Sequence, residues 1–341
     1  MINIDAIVAV LQTVRQLIAA PWLKKAALSD MLALIKAWES EYEETYRAIP
    51  EQSQNKFVSW RIASFVRSSN KLEQTSAPYS QGTYKSLVNY ASAGEHASEG
   101  ASSVGTAVVW DSEGEDGAAG ADATLAQAQA HVNGVRLLYP RDTEILPVVE
   151  LTADLICQMH QVVFKGSVAN GRSWLIGEFR SENLCAGGYD FRQVESKEEM
   201  QSLVEDLLKR LRAALASDQQ GFAIATWFTN AFLMLHPFQN GNGRISRLLF
   251  AYIVSTCHGI PHPTVLSSGG SKSRKHFYSA LKRMQQRVPP DSQWMLAIAV
   301  QSVNLSIICV KNSFKLGADA DADGLLSCDL VAASCDSSDE E

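Results

Sequence analysis

The sequence predicts a mainly α-helical protein carrying one small β-hairpin. Apolar residues recur at helical spacing along most of the chain, and 46% of the 341 residues are apolar, enough to bury a proper core. One stretch, Trp174 to Phe191, has a different texture: short mixed runs around Ala186-Gly187-Gly188, which suits two strands and a tight turn.

In chain order, residues 1–60 read as an N-terminal helical region with a break near Pro50. Within it, Ile4, Ile7, Val8, Leu11, Val14 and Ile18 form one apolar stripe. Asp5, Gln12, Arg15 and Gln16 interrupt that stripe, so an amphipathic helix is expected rather than a signal peptide. Residues 86–125 carry no Lys or Arg, and their acidic residues sit among Ala, Gly and Ser. Such a composition buries too little apolar surface to offset ordering entropy, and an acidic low-complexity linker is expected. Helical patterns return near Thr124, and Leu151–Phe164 and Met200–Leu215 both carry apolar stripes. Trp294–Val310 is strongly apolar but short for a membrane span, and Gln301, Ser302, Asn304 and Ser306 interrupt it; a buried core helix is expected. Residues 311–341 read as an acidic disordered tail. Within it, Asp319-Ala-Asp321-Ala-Asp323-Gly324 looks like the start of a calcium loop, but Leu330 stands where the twelfth-position Glu is needed.

A formal charge of −7 argues against broad affinity for nucleic acid or anionic membrane, both of which need clustered cations. Six cysteines with no C-x-x-C pair suit neither a disulfide framework nor a zinc site, and point to a reducing, cytoplasmic setting.

The chemistry concentrates between Gly221 and Gly259. An apolar run, Phe222–Leu235, meets His236-Pro237-Phe238-Gln239-Asn240-Gly241-Asn242-Gly243, and a second helical run follows from Arg244. A glycine turn entering a helix aims backbone N–H groups and the positive end of the dipole at one spot, which makes an anion site. Arg244 and Arg247, three apart, fall on one helix face, and their guanidiniums suit phosphate oxygens. His236 stands at the other lip of the turn, where imidazole can accept a proton near neutral pH. Taken singly, each feature is commonplace: a His before Pro is usually a helix end, and a Gly-x-Gly turn is usually a turn. Their conjunction within twelve residues points to phosphate-transfer chemistry.

The run from His236 to Arg247, H-P-F-Q-N-G-N-G-R-I-S-R, resembles the Fic signature H-x-F-x-(D/E)-G-N-G-R-x-x-R and departs from it at one fixed position. The likeness extends from Leu151-Thr152 and Met159-His160 through Gly177-Glu178-Phe179-Arg180 to His276–Leu281 and the helix after Trp294. A Fic-type helical core over residues 126–310 is therefore expected, with a β-hairpin flap. The resemblance implies a protein adenylyltransferase that uses ATP with Mg²⁺ or Mn²⁺ and modifies Ser, Thr or Tyr hydroxyls of a protein partner or of itself. His236 would be the general base. Gly241, Asn242, Gly243, Arg244 and Arg247 would hold the phosphates, and Asn240 would face the metal. Tyr278 would contact the adenine, or be a buried aromatic. Asn183, Leu184, Cys185, Ala186, Gly187 and Gly188 would form the flap that receives the target chain, or a purely structural hairpin. A homodimer is among the assemblies the resemblance allows.

Two departures matter. Asn240 replaces the family's acidic residue, so metal affinity is expected to fall; a nucleotide-binding regulator or scaffold with weak catalysis is the competing expectation. Upstream, within residues 61–85, Ser69-Asn-Lys-Leu-Glu73-Gln74 resembles the inhibitory pattern (S/T)-x-x-x-E-(G/N), mismatched at Gln74. In that reading Glu73 pairs with Arg247 and blocks productive ATP binding, and removal of AMP becomes a second activity. An ordinary solvated glutamate is the alternative.

Overall fold

The computed structural model describes residues 25–47, 50–73, 81–93, 108–110, 117–140, 144–165, 167–169, 175–186, 189–217, 221–266, 272–286 and 291–315. The helices are α1 (Lys25–Arg47), α2 (Glu51–Glu73), α3 (Gln81–Ser92), α4 (Gly117–Arg136), α5 (Ala153–Val163), α6 (Lys197–Leu215), α7 (Gly221–Leu235), α8 (Asn242–His258), α9 (Ser273–Gln286) and α10 (Gln293–Lys315). Strands β1 (Val108–Trp110) and β2 (Ser167–Ala169) pair parallel, and β3 (Cys185–Ala186) and β4 (Tyr189–Asp190) pair antiparallel.

Helix α7 is the axis of the core. Twelve of its 15 residues are buried, as a helix apolar on every side must be. It packs along α8 and also touches α6, α9 and α10, while α8 leans on α2 and α5. Phe228, Phe232, Phe250 and Tyr252 are among the largest fully buried side chains, and each such burial contributes about 1.5–3 kcal/mol. Helix α10 is long and apolar enough to span a membrane by length and composition, yet its apolar window is mostly buried, and it packs against α1, α7 and α9.

Local sequence sets the helix starts. Thr152 accepts the Leu155 N–H and caps α5. Ser196 does the same for α6 from Glu199, whose carboxylate reaches back to the Glu195 N–H, close to a capping box. The α6 stripe Met200, Val204, Leu207, Leu208 and Leu211 is buried, as its spacing predicts. Pro50 opens α2 where the break is expected, its carbonyl accepting from the N–H groups of Ser53 and Gln54.

The acidic linker is shorter than expected at both ends. Helix α3 runs to Ser92, and α4 starts at Gly117, where Ala118, Ala119, Ala121 and Ala123 give strong helix propensity despite the acidic composition. Within the same segment β1 pairs with β2, with Val109 opposite Val168. The expected N-terminal amphipathic stripe at 4–18 and residues 316–341 of the acidic tail lie outside the described residues, whereas 311–315, expected to open a disordered tail, are the end of helix α10.

Candidate active site

The α7–α8 turn is shaped by four of its own groups. His236 has φ of 51°, a left-handed backbone rare for a non-glycine residue, while its N–H still closes the last turn of α7 on the Phe232 carbonyl at 2.9 Å. Phe238 is fully buried, stacked on His160 with centroids 4.0 Å apart. The Asn242 side chain accepts from the Phe238 N–H at 3.0 Å and donates to the Phe238 carbonyl at 2.8 Å, closing the turn on itself. Gly241 caps α8 with φ of 78°, and a Cβ there would lie 2.4 Å from the Phe164 ring. Gly241→Ala is therefore expected to cost about 2–4 kcal/mol, from left-handed strain plus overpacking, read as a lower urea midpoint with unchanged m-value.

His160 pins the turn from below. Its Nε2–H donates to the Asn240 carbonyl at 3.1 Å, and its Nδ1 accepts the Gly177 N–H at 2.9 Å. That pattern requires the neutral ring, and burial lowers its pKa to about 4. His236 is also held neutral, with a pKa lowered to about 4, first by burial and then by the charge of Arg180, against an opposing hydrogen bond to the Leu233 carbonyl. Its Nδ1–H donates to that carbonyl at 3.1 Å, which leaves Nε2 as the unprotonated nitrogen. Phe191 covers the ring, stacked at 3.9 Å.

Both histidines bind protons more readily when unfolded, near pH 6.5, than when folded, near 4. Their contribution to stability is intact above about 6.5 and lost as pH falls toward 4. The thermal midpoint is expected to drop through that window, and a flat midpoint from pH 7 to 4.5 would contradict the neutral assignments.

Of the residues expected to hold phosphate, Asn242 spends its side chain on Phe238, so only its backbone N–H at the start of α8 is left to meet an anion. Arg244 is buried and lies over the Phe164 ring at 4.0 Å. Arg247, 1% exposed, donates from Nε to Ser69 Oγ at 3.0 Å and from Nη2 to the Ser69 carbonyl at 3.1 Å. Ser69 is the first residue of the inhibitory pattern, so the end of α2 sits on the second signature arginine. The crevice between them, lined by Phe65, Ser68, Ser69, Leu72, Arg247, Val265 and Leu266, is too narrow to enclose a water molecule. Next to them His131 donates from Nδ1 to Asn70 Oδ1 at 3.1 Å. Burial, with the fields of Arg244 and Arg247, pushes its pKa well below the ordinary value.

Tyr278 is 42% exposed, and its hydroxyl donates to the Leu72 carbonyl at 3.4 Å, while Arg274 donates to the same carbonyl at 2.9 Å. It thus meets the end of α2, and of the two readings the buried aromatic does not hold. Asn183 is exposed just before the short β3–β4 ladder and Cys185 is exposed within it, and the Phe191 N–H donates to the Leu184 carbonyl at 3.0 Å. Gly187, Gly188 and the Glu73 side chain lie outside the described residues, so the expected Glu73–Arg247 pair does too.

Asn240 is exposed, with its Oδ1 accepting from the Gly241 N–H at 2.7 Å. No cluster of three His, Cys, Asp or Glu side chains suited to a metal occurs among the described residues. A neutral amide whose oxygen already serves the backbone does not fit a resident Mg²⁺, which takes carboxylates. Any divalent cation would have to come with the nucleotide phosphates.

Sequence reading gave no role to Arg180 or Phe191, and it placed Ser69 in the inhibitory pattern without assigning it a partner. His160 and Arg180 stood inside stretches of family likeness, but neither had a partner visible in sequence.

The Fic/DOC family model matches residues 150–254, which include His236 to Arg247. A Fido domain-containing protein of Dictyostelium discoideum is 33% identical over 92 residues, 27% of this chain and 62% of that protein. The chain thus spans under two thirds of that relative's length. Two solved structures share the fold. A Fic domain containing signaling protein from Bacteroides thetaiotaomicron has a TM-score of 0.54 at 16% identity, over 84% of this chain and 98% of that one. Fic-1 from C. elegans has a TM-score of 0.56 at 18% identity, over 85% and 74%. The fold and the α7–α8 turn together define a Fic-type helical domain. Residues 150–254 of this chain are a Fic/DOC-type domain by that match.

Proposed function

We propose that this chain transfers AMP from ATP to a Ser, Thr or Tyr hydroxyl of a protein, itself included, under restraint from α2. The observation that carries the proposal is the contact of His236 Nδ1 with the Leu233 carbonyl at 3.1 Å, which makes Nδ1 the donor and leaves Nε2 as the neutral base in the turn that leads into α8. In the step, Nε2 takes the hydroxyl proton as that oxygen bonds to the α-phosphorus. The bond from the α-phosphorus to the bridging oxygen breaks, and pyrophosphate leaves. The N–H groups that start α8, with Arg244 and Arg247, offset the phosphate charge. Incubation with α-labelled ATP tests this directly: label on protein, with mass increased by one AMP, is the expected result. A different phosphate-containing adduct would keep the base and change the group transferred.

A second reading has its own support. The amide at Asn240 favours a nucleotide-binding regulator with feeble catalysis. Asn240→Asp separates the two. Aspartate keeps the bond to the Gly241 N–H with one oxygen and offers the other, charged, to a cation, so activity is expected to rise and the Mg²⁺ requirement to fall. An unchanged metal dependence would mean that position 240 does not meet the ion.

A further inference from the structure

Arg180 is fully buried, and the described hydrogen bonds of its guanidinium all go to backbone carbonyls. A buried guanidinium is costly unless its donors are satisfied. Here backbone carbonyls engage four of the five: Nε–H donates to His236 at 2.7 Å, Nη1 to Glu182 at 2.7 Å, and Nη2 to Arg192 at 2.6 Å and Leu235 at 3.1 Å. Its own backbone N–H adds a bond to the Pro237 carbonyl at 2.9 Å. These acceptors are not one surface. Leu235, His236 and Pro237 are the turn that carries the base, whereas Glu182 and Arg192 are the two stems of the β3–β4 hairpin.

We propose that Arg180 is the positioning residue of this site, a clamp that fixes the hairpin and the His236 turn in one register. Target chain and base are thereby presented together. The role rests on the transferase reading. Three features support it. The strained backbone of His236 needs an external hold, and Arg180 grips its carbonyl and the next one. The stem that Arg180 holds at Arg192 begins with Phe191, whose ring covers the imidazole. Finally, the five-donor planar fork is specific to arginine: lysine keeps the charge but has three donors on one atom and cannot reach both stems and the turn.

The test compares Arg180→Lys and Arg180→Met with wild type in the full chain. For Arg180→Lys, amide exchange over 182–192 is expected to speed by roughly tenfold or more while α5 and α6 keep their protection. The transfer kcat should fall on the order of a hundredfold, with ADP affinity unchanged, because misplacement affects the reacting geometry and not the phosphate cradle. In the NMR titration of labelled histidine, His236 stays near 4 in Arg180→Lys. It rises in Arg180→Met, which removes the charged group that faces it. Wild-type exchange and kcat in Arg180→Lys would overturn the clamp, and that arm alone decides if Arg180→Met fails to fold. If wild type itself transfers nothing, the transferase reading fails, while the exchange and titration arms still decide whether Arg180 holds hairpin and turn together.

Discussion

His236→Ala is expected to lower the rate of AMP transfer by on the order of 10²- to 10⁴-fold, the range a positioned general base contributes, while ATP affinity stays nearly unchanged. The two quantities separate because they rest on different groups. The base is needed only when a hydroxyl attacks. In the proposed mechanism the nucleotide would meet the start of α8 and the two arginines, none of which touches the imidazole through a described hydrogen bond. Alanine at φ of 51° carries some strain and leaves Phe191 without its stacking partner, so the variant must first match wild type by circular dichroism. Initial rates with α-labelled ATP then give the transfer loss, and fluorescence titration gives the affinity. Retained transfer would remove His236 from the mechanism. Parallel losses of affinity and rate would instead make the ring part of the nucleotide pocket.

The fold and the centre of the site were legible in the sequence to unequal degrees. Helical periodicity located α5, α6 and α7, because each buries a defined stripe or is buried all round, and local patterning carries that information. The α7–α8 turn was legible because its chemistry is contiguous: base, glycines and arginines fall within twelve residues. What stayed hidden is long-range. Arg180 is one arginine among many in sequence, and only the return of the hairpin stems and the α7 end onto it explains its burial. Likewise His160 is an ordinary helix residue until its ring is seen between Gly177 and Asn240. The acidic segment misled for another reason. Low hydrophobicity predicted a linker, but alanine propensity starts α4 early, and three β-branched or aromatic residues suffice for β1.

Glu73→Gly is expected to raise self-modification by roughly ten- to a hundredfold. Glu73 is the last residue of α2, and Ser69, one turn earlier on the same helix, already holds Arg247 through its hydroxyl and its carbonyl. Leu72, between them, accepts from Arg274 and Tyr278, so the end of α2 is tied to α9 as well as to α8. In the inhibitory reading the Glu73 carboxylate adds a charge-assisted bond to Arg247 where a γ-phosphate should go. Displacing such a bond costs about 1.5–3 kcal/mol, which sets the expected gain. Glycine at the final position of a helix costs little helical stability, so the change removes the carboxylate without dissolving α2. Arg247→Ala should not mimic it, because that substitution deletes the inhibitory partner and the phosphate ligand together, and the double variant should be as inactive as Arg247→Ala alone. Ser69→Ala should give a smaller gain, since it removes the bond to the hydroxyl and leaves the one to the carbonyl. The measurement is the initial rate of AMP incorporation for wild type and the four variants at saturating divalent cation. Equal rates for wild type and Glu73→Gly would sink the restraint by α2 while leaving the transferase proposal standing.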